Sequence, residues 1–115
     1  MAAPKIHNGA VPDRVMFVQL KTGYQVDRGP AWISVVHFNR SWKTARWHGK
    51  ALRRCQLIDA NFYDVETHDE YWLSGPHSDR RDTRYSNIRP TVDPDAANAY
   101  EAFLAGAPLP GRERG

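Results

Sequence analysis

The stretch that decides the fold is Ala31–Cys55, which reads AWISVVHFNRSWKTARWHGKALRRC. Residues 31–38 are rich in β-branched and aromatic side chains, which favour extended structure, and their near-continuous apolarity predicts burial on both faces. The turn at 39–41 and Gly49 divide the remainder into two shorter segments, the first of which alternates in polarity. The stretch therefore predicts three successive antiparallel strands.

Further strands are predicted on both sides of this stretch. Residues 15–21 alternate in the manner of a strand, and residues 61–66 and 70–74 flank a short polar turn as a second hairpin. Short strands spaced this closely indicate a small antiparallel barrel or a strongly curved sheet of five to six strands, because closure protects exposed edges. The predicted class is mainly β, of the α+β kind.

One helix is predicted near 94–105. Asp93 suits its N-cap, Pro94 its first position and Gly106 the residue just past its last turn. Apolar side chains recur between them at helical spacing, so one face of the helix should pack on the strands.

Length and composition predict one domain, at 14–106, with a flexible arm at 1–13 and a flexible tail at 107–115. The chain has 115 residues, of which 41% are hydrophobic and 25% charged, the profile of a folded soluble domain. The single cysteine, Cys55, excludes an internal disulfide, and no apolar run approaches the ~20 residues that cross a membrane. Residues 1–10 also lack the pattern of a secretory signal. We therefore expect a cytoplasmic protein with no membrane partner.

The net charge of +3 is distributed unevenly along the chain. Residues 31–60 alone carry +5, whereas 61–92 and 93–115 carry −2 each. The basic stretch also holds three of the four tryptophans, and interleaved basic and aromatic residues can bind phosphates and stack on bases. Its candidate ligand-binding residues are Arg46, His48, Lys50, Arg53 and Arg54. The alternative is a solvated strand face with the aromatic rings turned to the core.

A second candidate segment is the polar, arginine-rich stretch 74–89. Loops of this length inside a compact domain are usually functional or disordered. Its candidate ligand-binding residues, which offer planar forks or a ring to an anion, are Arg80, Arg81, Arg84 and Tyr85. The alternative is a solvated loop whose arginines pair with its own aspartates, each pair contributing at most about 1 kcal/mol.

Metal and catalytic motifs are absent from the sequence. No HExxH, paired cysteines, glycine-rich phosphate loop or GxSxG occurs, so we expect no metal and no cofactor. If the chain is an enzyme, the candidate acid or base is His77, with Asp82 or Asp64 beside it and the neighbouring arginines as an anion clamp.

Three short motifs carry a resemblance to a known family. They are Gly29–Ile33 (GPAWI), Asn61–Asp64 (NFYD) and Glu70–Gly75 (EYWLSG). In them the chain resembles a family of small, uncharacterised bacterial proteins, over about Phe17–Tyr85. Members of that family sometimes carry a deoxyxylulose-phosphate synthase label, which the short length and the missing diphosphate-binding motif argue against here. The resemblance implies no known activity, so no functional residue is carried over.

Three functions fit these observations. The first is a non-enzymatic binding module for an anionic partner, above all nucleic acid. The second is a protein–protein interaction or accessory subunit with exposed aromatic anchors such as Trp42, Trp47 or Tyr85. The third is a small hydrolase acting on a phosphorylated substrate. The choice depends on which faces are buried, because alternation fixes which residues share a face but not which face meets water.

Overall fold

A computed structural model describes residues 13–21, 29–57, 59–79 and 89–109. This part of the chain contains seven strands and one helix, which follow one another in the order of the sequence. The elements are β1 Arg14–Lys21, β2 Ala31–Phe38, β3 Thr44–Trp47, β4 Lys50–Arg54, β5 Phe62–Asp64, β6 Glu70–Ser74, β7 Thr91–Val92 and α1 Ala97–Leu104.

Strands β1 to β6 form a closed antiparallel barrel. Each strand pairs with the next one along the chain, and β6 pairs back with β1. The prediction of a small antiparallel barrel with one C-terminal helix is confirmed. Strand β7 adds to β2 in parallel, where Trp32 pairs with Thr91 and Ile33 with Val92.

The inward side chains of the six strands fill the barrel. They make one buried apolar cluster, in which Trp47 contacts the rings of Trp32 and Tyr71 at centroid distances of 4.9 and 5.3 Å. The buried members are Met16, Val18, Val36, Phe38, Ala45, Trp47, Leu52, Phe62, Tyr71 and Leu73. Because the structure holds Trp47 only 3% exposed, the expectation that this tryptophan is a surface anchor is wrong.

A second apolar cluster lies outside the barrel, between β1, β2 and the helix. Its buried members are Val15, Phe17, Ala31, Ile33, Ala96, Ala99, Tyr100 and Leu109. Strand β2 is therefore largely covered on both sides, as its near-continuous apolarity predicts. Leu109 belongs to this cluster, although it lies in the segment where we expected a tail.

The helix begins later than predicted, and Asp93 is not its cap. The N-cap is Ala96, with no side-chain hydrogen bond, and residues 94–96 form a turn before α1. The Asp93 carboxylate instead accepts hydrogen bonds from side chains of the barrel, which removes it from the helix N-terminus. The helix ends as predicted: Gly106 follows the C-cap residue at a φ of +109°, a conformation that favours glycine.

The two ends of the barrel carry different turns. One end, called here the Trp42 end, holds the β2–β3 turn at 39–43, the start of β1 and the end of β4. The other, called the His48 end, holds the β3–β4 turn at 48–49 and the β5–β6 turn at 65–69. This separation decides which of the predicted site residues can act together.

Candidate functional site

The outward side chains of β3 and β4 form a patch of two small and two basic residues. Arg46 pairs with Ala51 and Thr44 pairs with Arg53, so the two arginines stand diagonally across the patch. Diagonal neighbours on an antiparallel pair lie about 7–8 Å apart. All four side chains are exposed, which leaves both guanidinium groups accessible above a floor of small residues.

Three more exposed cations, Arg40, Lys43 and Arg54, lie next to this patch at the Trp42 end. The Asn39 side-chain oxygen accepts hydrogen bonds from the backbone N–H groups of Lys43 and Thr44 at 3.1 and 3.2 Å, which fixes the β2–β3 turn. The Arg54 N–H donates to the Lys43 carbonyl at 2.8 Å, so these two residues are neighbours. The five exposed cations, called here the basic surface, are Arg40, Lys43, Arg46, Arg53 and Arg54.

The side chains of the basic surface have no internal counter-charge in the part of the chain that is described: none of the five takes part in an ion pair or a side-chain hydrogen bond there. Lys50 differs, because its ammonium lies 3.6 Å from the carboxylate of Asp64 at the His48 end. An unpaired cation can meet an external anion without first breaking an internal pair.

The structure divides the residues that the sequence predicts as ligand-binding. Arg46 and Arg53 point outward from β3 and β4 and Arg54 is exposed at the Trp42 end, whereas His48 and Lys50 lie at the His48 end. The residues that fall outside the described ranges are Arg80, Arg81, Asp82, Arg84 and Tyr85. The sequence analysis did not select Arg40 and Lys43 as candidates. Both lie in the turn directly before the basic strand β3, and this position could have indicated them.

The candidate acid–base residue His77 is exposed, three residues beyond the end of β6 and thus past the Trp42 end. Asp64, one of its two predicted partners, is buried at the opposite end of the barrel. The structure therefore does not bring these two residues together.

A polar cluster that the sequence did not predict lies where β7 meets the barrel. Ser34 sits inside the barrel, accepts a hydrogen bond from the Trp47 indole N–H at 2.8 Å and donates one to the Asp93 carboxylate. Nε2 of His48 lies 2.6 Å from the same carboxylate oxygen. The Asp93 N–H also donates to the Ile33 carbonyl at 2.9 Å. These bonds fasten the segment before the helix to β2 and to the β3–β4 turn.

The cluster contains serine, histidine and aspartate but does not have the arrangement of a catalytic triad. In a triad the histidine bonds the nucleophile with one ring nitrogen and the aspartate with the other. Here His48 Nε2 faces both the Ser34 hydroxyl, at 3.5 Å, and Asp93. Ser34 is also only 1% exposed and gives its proton to Asp93, so its oxygen is inaccessible to a substrate. The cluster is a structural fastening.

The turn that carries His48 requires an unusual backbone. His48 and Gly49 have φ values of +49° and +72°, and the flanking residues Trp47 and Lys50 pair with each other. Two-residue hairpins with positive φ at both central positions prefer Asn-Gly or Asp-Gly. A histidine in the first position is compensated by its bond to Asp93 and by its ring, which stacks on Trp47 at 4.1 Å.

Among the residues that the structure describes, three ionisable groups have pKa values that their surroundings shift. Hydrogen bonds from the turn amides of Glu66 and Thr67, together with nearby Lys50, hold the pKa of Asp64 below its usual range. Burial raises the pKa of Tyr71, and the charges of Asp69 and Asp64 raise it further. Burial, followed by the charge of Glu70, raises the pKa of the Cys55 thiol, which keeps this cysteine in its unreactive protonated form.

The comparisons with known proteins add no family to these observations. No protein-family model, no curated protein and no solved structure matches the chain. Among the described residues, no group of three or more histidine, cysteine, aspartate or glutamate side chains could hold a metal ion. In the same part of the chain, the structure has no helix that is long and apolar enough to cross a membrane.

Proposed function

We propose that this protein is a non-enzymatic module that binds nucleic acid through the basic surface. The observation that carries the proposal is the concentration of five exposed cations on one hairpin and its adjoining turn, with no internal counter-charge among the described residues. Four of the five are arginines, whose planar guanidinium groups bind phosphate oxygens in pairs. A repeating row of phosphates is the anion that best fits such a set.

If the cations contact phosphates, the affinity should depend on salt concentration by a predictable amount. Each neutralised phosphate releases condensed counterions, so affinity falls with salt by a slope of about −0.7 per contact for a single strand. If all five cations take part, log K should fall with log salt by a slope of up to about −3.5. A protein that meets only one or two phosphates would give a much flatter dependence.

The test compares two variants of equal net charge. In the first, Arg46→Gln and Arg53→Gln remove two positive charges from the basic surface. In the control, Asn98→Glu and Ala102→Glu add two negative charges at exposed positions of α1, which packs outside β1 and β2 and not on β3 or β4. Fluorescence anisotropy with labelled DNA and RNA oligonucleotides at two salt concentrations measures binding.

We expect the arginine variant to weaken binding at least tenfold at low salt and to reduce the salt slope by about 1.4, with a much smaller change in the control. Equal losses in both variants would mean that net charge alone attracts the oligonucleotide. No binding by the unaltered protein at low salt would refute the proposal. The protein-interaction and hydrolase alternatives, and the cytoplasmic location, stay predictions.

A further inference from the structure

We infer that the preferred ligand is an unpaired strand of nucleic acid, one base of which stacks on Tyr63 beside Arg53. This inference rests on the proposed function and specifies which form of nucleic acid the basic surface takes. Two observations support it: which described elements could enter a groove of a nucleic-acid duplex, and which residues lie next to Arg53.

No described element of this protein is suited to enter a major groove. An α-helix or a two-stranded ribbon is what that groove admits. The described helix, α1, has no lysine or arginine, and it packs through Ala99 and Tyr100 on the outside of β1 and β2. Strands β1 to β6 are all held in the closed barrel wall, with a neighbour on each side. Reading a duplex from its grooves is therefore disfavoured.

An aromatic side chain extends the basic surface along the barrel wall. Arg53 pairs with Thr44 on one side and with Tyr63 on the other, so all three lie in one outward row. Directly opposed residues on antiparallel strands have Cβ atoms about 4.5–5.5 Å apart. A phosphate held by Arg53 thus stands one strand away from the ring of Tyr63, which is only half-buried.

Two residues on the side of Tyr63 away from Arg53 would orient a nucleic-acid strand bound there. Glu70 pairs with Tyr63 from β6, and its negative charge disfavours a phosphate on that side. His68, exposed in the β5–β6 turn, has its ring at 85° to that of Tyr63, with the centroids 6.4 Å apart. The two rings form a corner, in which a base can lie against one ring and meet the other with its edge. The sugar–phosphate backbone then runs on the Arg53 side.

Stacking on a single aromatic ring requires a base that has left its duplex. Proteins that bind single strands combine a basic track for the backbone with aromatic side chains for the bases, and each stacked base contributes about 1–3 kcal/mol. That energy corresponds to a roughly 5- to 150-fold change in affinity. RNA and DNA present the same base face and the same phosphate, so both sugars belong in the test.

The experiment measures anisotropy of labelled dT12, U12 and a 12-base-pair duplex with the full chain and the variants Tyr63→Ala and Tyr63→Phe. We expect tighter binding of the single strands than of the duplex. Tyr63→Ala should weaken single-strand binding by about 5- to 150-fold and leave duplex binding within about twofold, whereas Tyr63→Phe, which keeps the ring, should bind like the unaltered protein. Circular dichroism melting checks that each variant is folded.

Photo-crosslinking tests the same contact without a substitution. An oligonucleotide with 5-iodouracil should crosslink to a peptide that contains Tyr63 when the bound complex is irradiated and digested. Duplex binding as tight as single-strand binding, a Tyr63→Ala loss that is equal for both ligands, or crosslinks confined to other peptides would overturn the inference. Each of these results leaves nucleic-acid binding intact, whereas absence of binding to all three probes refutes the proposed function itself.

Discussion

The barrel wall has a covered side and a bare side, and the same strand geometry produced both. On β1 and β2 the outward residues Val15, Phe17 and Ile33 are buried beneath α1 and the residues around it. On β3 and β4 the outward residues Arg46 and Arg53 are exposed. The alternation of side chains is the same on the two sides. Only the chemistry of the outward residues differs.

Under the proposed function, this difference separates stability from ligand binding in a small domain. Apolar outward residues stabilise the fold only if another element covers them, and the C-terminal segment of the chain provides that cover. Basic outward residues gain nothing from being covered and keep their charge available to a ligand. We expect substitutions on the covered side to change the free energy of unfolding, and substitutions on the bare side to change binding.

The largest expected effect is on the covered side. Phe17→Ala removes a ring that is completely buried between the barrel and the helix segment. Losing that burial and leaving a cavity should lower the free energy of unfolding by about 3–5 kcal/mol. Urea denaturation followed by tryptophan fluorescence measures the change. A loss below about 1 kcal/mol would mean that the second apolar cluster is not part of the stable core.

The second expected effect concerns the fastening between the two sides. Asp93→Ala leaves the buried Ser34 hydroxyl without its acceptor and frees His48, so the free energy of unfolding should fall by about 1–3 kcal/mol. Asp95→Ala, at an exposed position two residues later, is the matched control and should change it by less than about 0.5 kcal/mol. Equal effects of the two substitutions would contradict the role assigned to Asp93.

Much of the fold could be predicted from the sequence, because local patterns of residues specify most of the strands and turns. The β-branched content of residues 31–38, the alternation at 42–48 and the turn residues between them each point to the same antiparallel arrangement. The strand boundaries were less predictable: β3 begins only at Thr44, because Trp42 adopts a φ of +64° in the turn. Positive φ is rare for a bulky residue, so the pattern gives no warning of it.

The candidate site was predictable only in part, because its arrangement depends on pairing between distant segments. Arg46, Arg53 and Arg54 came from the local charge density; Arg46 and Arg53 point outward from the barrel wall, and Arg54 is exposed at the end of β4. Tyr63 joins them only through the register of β4 with β5. Asp93 has the sequence context of a helix cap, yet it binds Ser34, which lies 59 positions earlier in the chain. No local pattern reports such a contact.

A third prediction concerns acid, at the His48 end. The pKa of Asp64 is lowered in the folded protein, so its contribution to stability is present above about pH 4, the usual pKa of an unfolded aspartate, and is lost as the pH falls through the folded value. In Asp64→Asn the amide oxygen can still accept from the turn amides but does not titrate. Urea midpoints measured from neutral pH downwards should therefore fall less steeply below about pH 4 than those of the unaltered protein.

The exposed carboxylate of Asp69 offers a control for that measurement. Asp69→Asn removes an acid from the neighbouring turn, at an exposed position. At neutral pH we expect its urea midpoint to match that of the unaltered protein, because the side chain that it replaces is exposed. If Asp64→Asn lost stability in acid as steeply as the unaltered protein, the pKa of Asp64 would not be lowered in the folded protein.

The smallest expected effect on stability is on the bare side, and it completes the comparison. Arg46→Ala and Arg53→Ala, made singly, remove exposed side chains that have no ion pair among the described residues, so each should change the free energy of unfolding by less than about 0.5 kcal/mol. The same urea titration as for Phe17→Ala measures it. A loss above about 1 kcal/mol for either arginine would show that the bare side also supports the fold. A near-zero result, combined with lost binding, means that the two sides of one barrel have separate tasks.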